Sequence, residues 1–160
     1  MATQESARVR TANEFLHVFT TLDTTPLQTI LAPNYHHTFG PNSLTGFGPY
    51  DKPGFIKHVS GLFQFLTTFP VIPVETIDSE SSNAVWVWTK TDAQFKEEVR
   101  NGEKVEDWVY KGENMFMFWF DGEGRISRCV ELVDSKKTVD ELLPLMGRAR
   151  ANLLRGEGGE

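Results

Sequence analysis

With 160 residues and a net charge of −6, the chain has the length of one ordinary domain and lacks the basic surface of a nucleic-acid binder. Hydrophobic and charged fractions of 39% and 24% are those of a globular protein, and a lone cysteine, Cys129, excludes an internal disulfide and any multi-cysteine zinc site. No segment approaches the roughly 20 apolar residues of a membrane span, and residues 1–15 carry no apolar run of signal-peptide length, so a soluble cytoplasmic protein is expected.

Residues 5–22 read as an amphipathic helix, with Val9, Ala12, Leu16 and Phe19 on one stripe and Arg8, Arg10 and Glu14 facing out. Thr25 and Pro26 suit the cap and first residue of a short second helix, ended by Pro33. Tyr35–Phe39 is then a brief strand, and residues 43–53, with two Gly and two Pro, form a loop of the kind that covers a pocket mouth. A third helix starts near Asp51 or Pro53 and carries Phe55, Ile56, Val59, Leu62, Phe63 and Leu66 at helical spacing.

From Val71 the pattern changes to sheet. Residues 71–77 contain Pro73 and belong at an edge or a bulge; residues 84–91 are a dense strand; residues 92–104 are charged and read as a solvated excursion. Two aromatic and β-branched runs then flank Asp121-Gly122-Glu123-Gly124, a hairpin signal. If those four residues form the loop, Phe120 faces Arg125, Phe116 faces Cys129 and Asn114 faces Glu131. Trp108, Tyr110, Asn114, Phe116 and Phe118 then share a face with Cys129, Glu131 and Val133, while Met115, Met117, Trp119, Ile126, Val130 and Leu132 share the other. Both faces are apolar, so one requires helices and the other a second subunit, which predicts a homodimer through the outer sheet face. A C-terminal helix over 138–154, kinked or limited by Pro144, and a disordered tail over 156–160 complete a single domain spanning 1–155. The expected architecture is α+β: helices packed on one face of a curved antiparallel sheet, a cone-like fold enclosing a deep pocket.

Glu131 lies between Val130 and Leu132, and a carboxylate withdrawn from water suits general acid or base work; the plainer alternative is a strand glutamate paired with Arg128. Tyr110 and Asn114 on the same face offer a phenol and an amide to a carbonyl or developing enolate. His36 and His37 are adjacent, so only one points inward, and spacing of one on a strand makes a poor metal site. His17 and His58 belong to helices, with His58 beside the apolar stripe and able to enter the pocket. Phe116 and Trp108 are candidate substrate-binding aromatics. Asp134 and Ser135 suit a helix cap better than chemistry. The chain contains no GxSxG, phosphate-binding glycine loop, HExxH or dinucleotide fingerprint, which favours proton transfer in an apolar pocket without metal or nucleotide.

Three segments carry a resemblance: Tyr35-His36-His37-Thr38-Phe39-Gly40-Pro41-Asn42-Ser43-Leu44, similar to a His-x-x-x-Pro-x-Ser-Leu pattern; Tyr110 to Phe118; and Val130-Glu131-Leu132-Val133-Asp134-Ser135, similar to a closing Glu-Phe-x-Asp-Ser. In order, they resemble the SnoaL-like polyketide cyclases and isomerases, especially the fungal secondary-metabolite branch, within the cone-shaped superfamily of ketosteroid isomerase and scytalone dehydratase. The resemblance implies a cofactor-independent cyclase or isomerase acting by acid–base catalysis on an apolar polycyclic intermediate of polyketide, meroterpenoid or alkaloid type. It implies Glu131 as acid or base, Tyr110 as donor to a substrate oxygen and His37 as the inward polar residue of the first strand. Asn114 stands where relatives often have a second tyrosine. Dehydration of the scytalone-dehydratase type, and non-catalytic ligand binding or dimerisation in the same cavity, are the alternatives.

Overall fold

The computed structural model describes residues 4–157. Helix α1 (Ala7–Thr21) begins where Ser6 accepts a bond from the Val9 amide at 3.2 Å, and ends where Leu22 turns left-handed. The short α2 (Leu27–Ile30) gives way at Leu31 to strand β1 (Leu31–Gly40). Pro33 therefore lies inside a strand rather than ending the helix, as the sequence had suggested. A loop leads to β2 (Tyr50–Asp51), and Asp51 caps α3 (Lys52–Phe63) by accepting from the Gly54 amide at 2.8 Å.

Leu66, expected on that helix, instead opens β3 (Leu66–Thr68). Strand β4 (Val71–Ser79) is bulged between Pro73 and Glu75, as a proline at a sheet edge requires. Strand β5 (Ala84–Phe95) runs four residues into the stretch read as a solvated excursion, because Thr91, Ala93 and Phe95 alternate inward. The short helix α4 (Glu97–Arg100) and a 3₁₀ turn over Val105–Trp108 precede β6 (Tyr110–Phe120) and β7 (Ile126–Val133). The chain finishes as one continuous helical run: α5 (Ser135–Lys137), a wide π turn (Thr138–Leu142) and α6 (Leu143–Glu157). The π turn falls immediately before Pro144, where a missing amide and a bulky ring disfavour ordinary α-helical bonding. Helix α6 thus enters the expected tail, whose residues 158–160 lie outside the described residues. No described helix is long and apolar enough to cross a membrane.

The fold is α+β and cone-like, with α1 and α3 against the concave face of a seven-stranded sheet ordered β2-β1-β7-β6-β5-β3, β4 also pairing β5. The meander was expected to be antiparallel throughout. The β1–β7 pair is parallel, because β1 joins the sheet from the far end of the chain.

The β6–β7 register differs from the simple hairpin by two residues. Phe118 pairs with Cys129, Phe116 with Glu131 and Asn114 with Val133. One residue of the slip arises in the turn, where the Asp121 carboxylate accepts from the Glu123 and Arg125 amides, both at 2.9 Å, and Phe120 pairs with Ile126. The second is a bulge at Ser127, whose hydroxyl donates to the Trp119 carbonyl at 3.2 Å. Two one-residue slips restore the parity of the faces, so Tyr110, Asn114, Phe116, Phe118, Cys129 and Glu131 still face inward together. Only Ile126, on the turn side of the bulge, changes face: it is fully buried, not on the outer surface.

Aromatic stacking ties the helices to the sheet. Phe15 of α1 meets Phe118 edge-on at 5.0 Å and stacks on Phe55 of α3 at 5.6 Å, and Phe55 stacks in turn on His37 at 4.2 Å.

Candidate active site

Alternation along β1 turns Tyr35 and His37 inward and leaves His36 exposed. This answers which of the two histidines enters the interior. The parallel register sets His37 opposite Cys129 and Phe39 opposite Glu131, so His37 reaches Glu131 diagonally across the strand boundary. Asn114 reaches it diagonally from β6. The result is a short chain of bonds: Asn114 Nδ2 donates to Glu131 Oε1 at 2.8 Å, His37 Nε2 lies 3.1 Å from Glu131 Oε2, and Tyr35 Oη lies 2.7 Å from His37 Nδ1.

The proton positions follow from the chemistry. Where Glu131 is ionised it can only accept, and a neutral His37 then carries its proton on Nε2 and accepts at Nδ1 from the Tyr35 hydroxyl. Burial, with the nearby Cys129 and Glu131, pushes the Tyr35 phenol well above its usual range, which keeps it a donor. The same burial pushes the Cys129 thiol well up and makes it an inert packing group.

Glu131 and Asn114 open onto a cavity of about 100 Å³ between the sheet and the helices. Tyr110 and His58 also line it, while Leu44 and Phe47 bring the 41–49 loop over it and Leu142, Leu143 and Met146 bring the C-terminal helix. The loop read as a pocket cover is one. The volume holds about one ring, below the several hundred Å³ of sites that engulf drug-sized ligands.

Burial pushes the Tyr110 phenol above its usual value; the Thr138 hydroxyl partly opposes this and the acids Asp134, Glu141 and Glu131 add to it. The phenol is held as a donor. Gly112 makes its position possible, because a side chain there would collide with the Tyr110 hydroxyl.

The remaining sequence candidates divide. His37, wholly buried, stands behind Glu131 rather than on the cavity wall, and Phe116 lies beneath the surface beside it. Trp108 belongs to the 3₁₀ turn, not to a strand, and packs on Phe95 at 5.3 Å and under Arg148 at 4.5 Å, away from the cavity. Tyr35 was missed, although the period-two spacing Tyr35–His37–Phe39 marks it as sharing the inward face. Among the described residues, no three His, Cys, Asp or Glu side chains gather in a way that would hold a metal ion.

No sequence-family model matches the chain, and no curated protein matches it by sequence. Solved structures do. BvnE pinacolase from Penicillium brevicompactum superposes with a TM-score of 0.73 at 17% identity, covering 94% of this chain and 96% of its own. AusH from Aspergillus nidulans gives 0.67 at 17%, covering 81% and 84%. A protein from Jannaschia sp. CCS1, named for the SnoaL-like polyketide cyclases, gives 0.64 at 10%, covering 87% and 93%. The chain has the SnoaL-like fold. At these identities the likeness is one of fold, and the chemistry of this SnoaL-like cavity rests on its own residues.

His58 supplies a pH test. It stacks on Tyr50 at 4.8 Å, and its Nδ1 lies 3.2 Å from the Tyr50 hydroxyl. Burial lowers its pKa, with Glu131 pulling the other way and His37 adding to the lowering. The unfolded chain therefore binds a proton at His58 before the folded chain does. Its contribution to stability is complete above about pH 6.5 and is lost as pH falls from there through the folded value. Urea midpoints should fall between pH 7.5 and pH 5, and His58→Gln should flatten that slope; an unchanged slope in the variant would contradict the assignment.

Proposed function

We propose that this protein is a cofactor-independent cyclase or isomerase that works by acid–base catalysis on an apolar, ringed intermediate of secondary metabolism. The observation that carries this reading is the Glu131 carboxylate, held by two donors yet opening onto an otherwise largely apolar cavity. Glu131 removes a proton from a carbon beside a substrate carbonyl, and Tyr110 donates a hydrogen bond to the oxygen that gains charge. Returning the proton to a different carbon, or attack of the enolate on an electrophilic carbon in the same molecule, gives an isomer or a new ring without loss of atoms. His37 does not touch substrate; it holds Glu131 in place. The names of the structural neighbours, a pinacolase and polyketide cyclases, support rearrangement and ring formation as the reaction class.

The outer sheet face is proposed as the contact with a second copy of the chain. Ile77, Trp86, Met117 and Val130 form a cross-strand row there, with Trp88, Met115 and Leu132 as the next row. Ile77 is 57% and Trp86 44% exposed, a greasy stripe unlike the surface of most monomers. Sedimentation should show a dimer that Trp86→Glu converts to monomer with the fold retained. A wild-type chain sedimenting as monomer would remove this interface.

Proton abstraction can be read without the natural substrate. In D₂O, the protein should accelerate deuterium uptake at the carbons beside the carbonyl of 2-tetralone, followed by NMR. Glu131→Gln, which keeps the Asn114 bond and lets His37 switch tautomer, should lower that rate by about 10²- to 10⁴-fold with the fold intact. Equal rates in the two proteins would exclude Glu131 as the base.

A further inference from the structure

Among the described residues, three buried side-chain polar atoms find no hydrogen-bond partner: Asn13 Oδ1, Thr91 Oγ1 and Arg100 Nε. Only Thr91 belongs to the cavity wall. A buried hydroxyl without a partner costs roughly 1–3 kcal/mol, so its persistence at a ligand-facing position calls for a reason. Its neighbour on the same face shows the ordinary solution: Thr89 donates to the Asn114 carbonyl at 3.1 Å. Thr91, two residues on and only 4% exposed, makes no such bond.

The surroundings fit a ligand oxygen. Thr91 pairs across the sheet with Gly112, the residue over which the Tyr110 hydroxyl lies. Thr91 thus sits across the sheet from the position that the Tyr110 hydroxyl covers, and Tyr110 and Thr138 line the same cavity. We infer that Thr91 is a binding residue that, beside Tyr110, receives a hydroxyl or carbonyl oxygen of the ligand. This inference rests on the reading of the cavity as a substrate site.

The position also bears on substrate class. Because Tyr110 also donates to the oxygen that gains charge, the oxygen received by Thr91 and Tyr110 is that carbonyl oxygen, carried on a ring of the size the cavity holds, with the carbon beside it turned toward Glu131. The oxygen at Thr91 fixes which carbon that is.

Binding of phenol and toluene, which exchange a hydroxyl for a methyl in one ring, isolates the Thr91 end without needing turnover. NMR titration of the wild-type chain should show phenol bound more tightly than toluene, with shifts at Thr91 and Gly112. Thr91→Val should weaken phenol by about five-fold and leave toluene unchanged or tighter, while Thr91→Ser restores the phenol preference. The same Val variant should unfold at an equal or higher urea concentration, because it removes an unpaired hydroxyl. Equal phenol affinity in wild type and Thr91→Val would overturn the inference, as would a clear loss of stability in the Val variant, which would mean the hydroxyl is bonded internally. Failure of both rings to bind would overturn it together with the cavity reading. Loss of tetralone exchange alone would remove the catalytic reading and leave the binding result standing.

Discussion

The site depends on keeping one carboxylate inside a largely apolar wall. An ionised carboxylate taken from water without partners is so costly that it neutralises instead. Here Asn114 and His37 each bond one oxygen of Glu131, and Tyr35 completes the imidazole on its far side. Breaking a buried pair of this kind by deleting one member costs about 3–5 kcal/mol, so the arrangement is held as a unit. Its supports come from separate parts of the chain. β1 supplies Tyr35 and His37, β6 supplies Asn114, and α3 supplies Phe55, whose ring stacks on the imidazole. The parallel β1–β7 pair matters most, because it turns a histidine near the start of the chain toward a glutamate near its end.

Most of the fold was legible in the sequence. Helical spacing located α1 and α3, β-branched and aromatic runs located β5, β6 and β7, and the closing hairpin put Tyr110, Asn114 and Glu131 on one face. That last result was reached through a register two residues from the real one. It survived because the turn and the Ser127 bulge each displaced the pairing by one, and face parity depends only on whether the sum is even. Ile126, between the two displacements, is where the compensation fails. Neither displacement is written in hydrophobic pattern: one comes from the Asp121 carboxylate gathering the turn amides, the other from an unpaired serine.

What the sequence concealed were relations between distant segments. Nothing in residues 31–40 announces pairing with residues 126–133, so Tyr35 had no visible role, although its spacing from His37 marked it as inward. Trp108 looked like a strand aromatic, but the residues before Tyr110 wind into a 3₁₀ turn that packs it under α6. Thr91 closed the stretch read as a dense strand, but that its hydroxyl faces the cavity without a partner depends on how the helices pack over the sheet. The cavity wall carries the Glu131 carboxylate, the Asn114 amide and the hydroxyls of Thr91, Tyr110 and Thr138 among mostly apolar side chains.

If Glu131 is the base, His37 presents Nε2–H to its ionised carboxylate. Nitrogen-15 NMR of the His37 imidazole at neutral pH reads this directly. The expected result is a protonated Nε2 bonded to the carboxylate, with the proton moving to Nδ1 in Glu131→Gln. A bare Nε2 in the wild-type protein would mean that Glu131 holds the proton itself, and would contradict its assignment as the base.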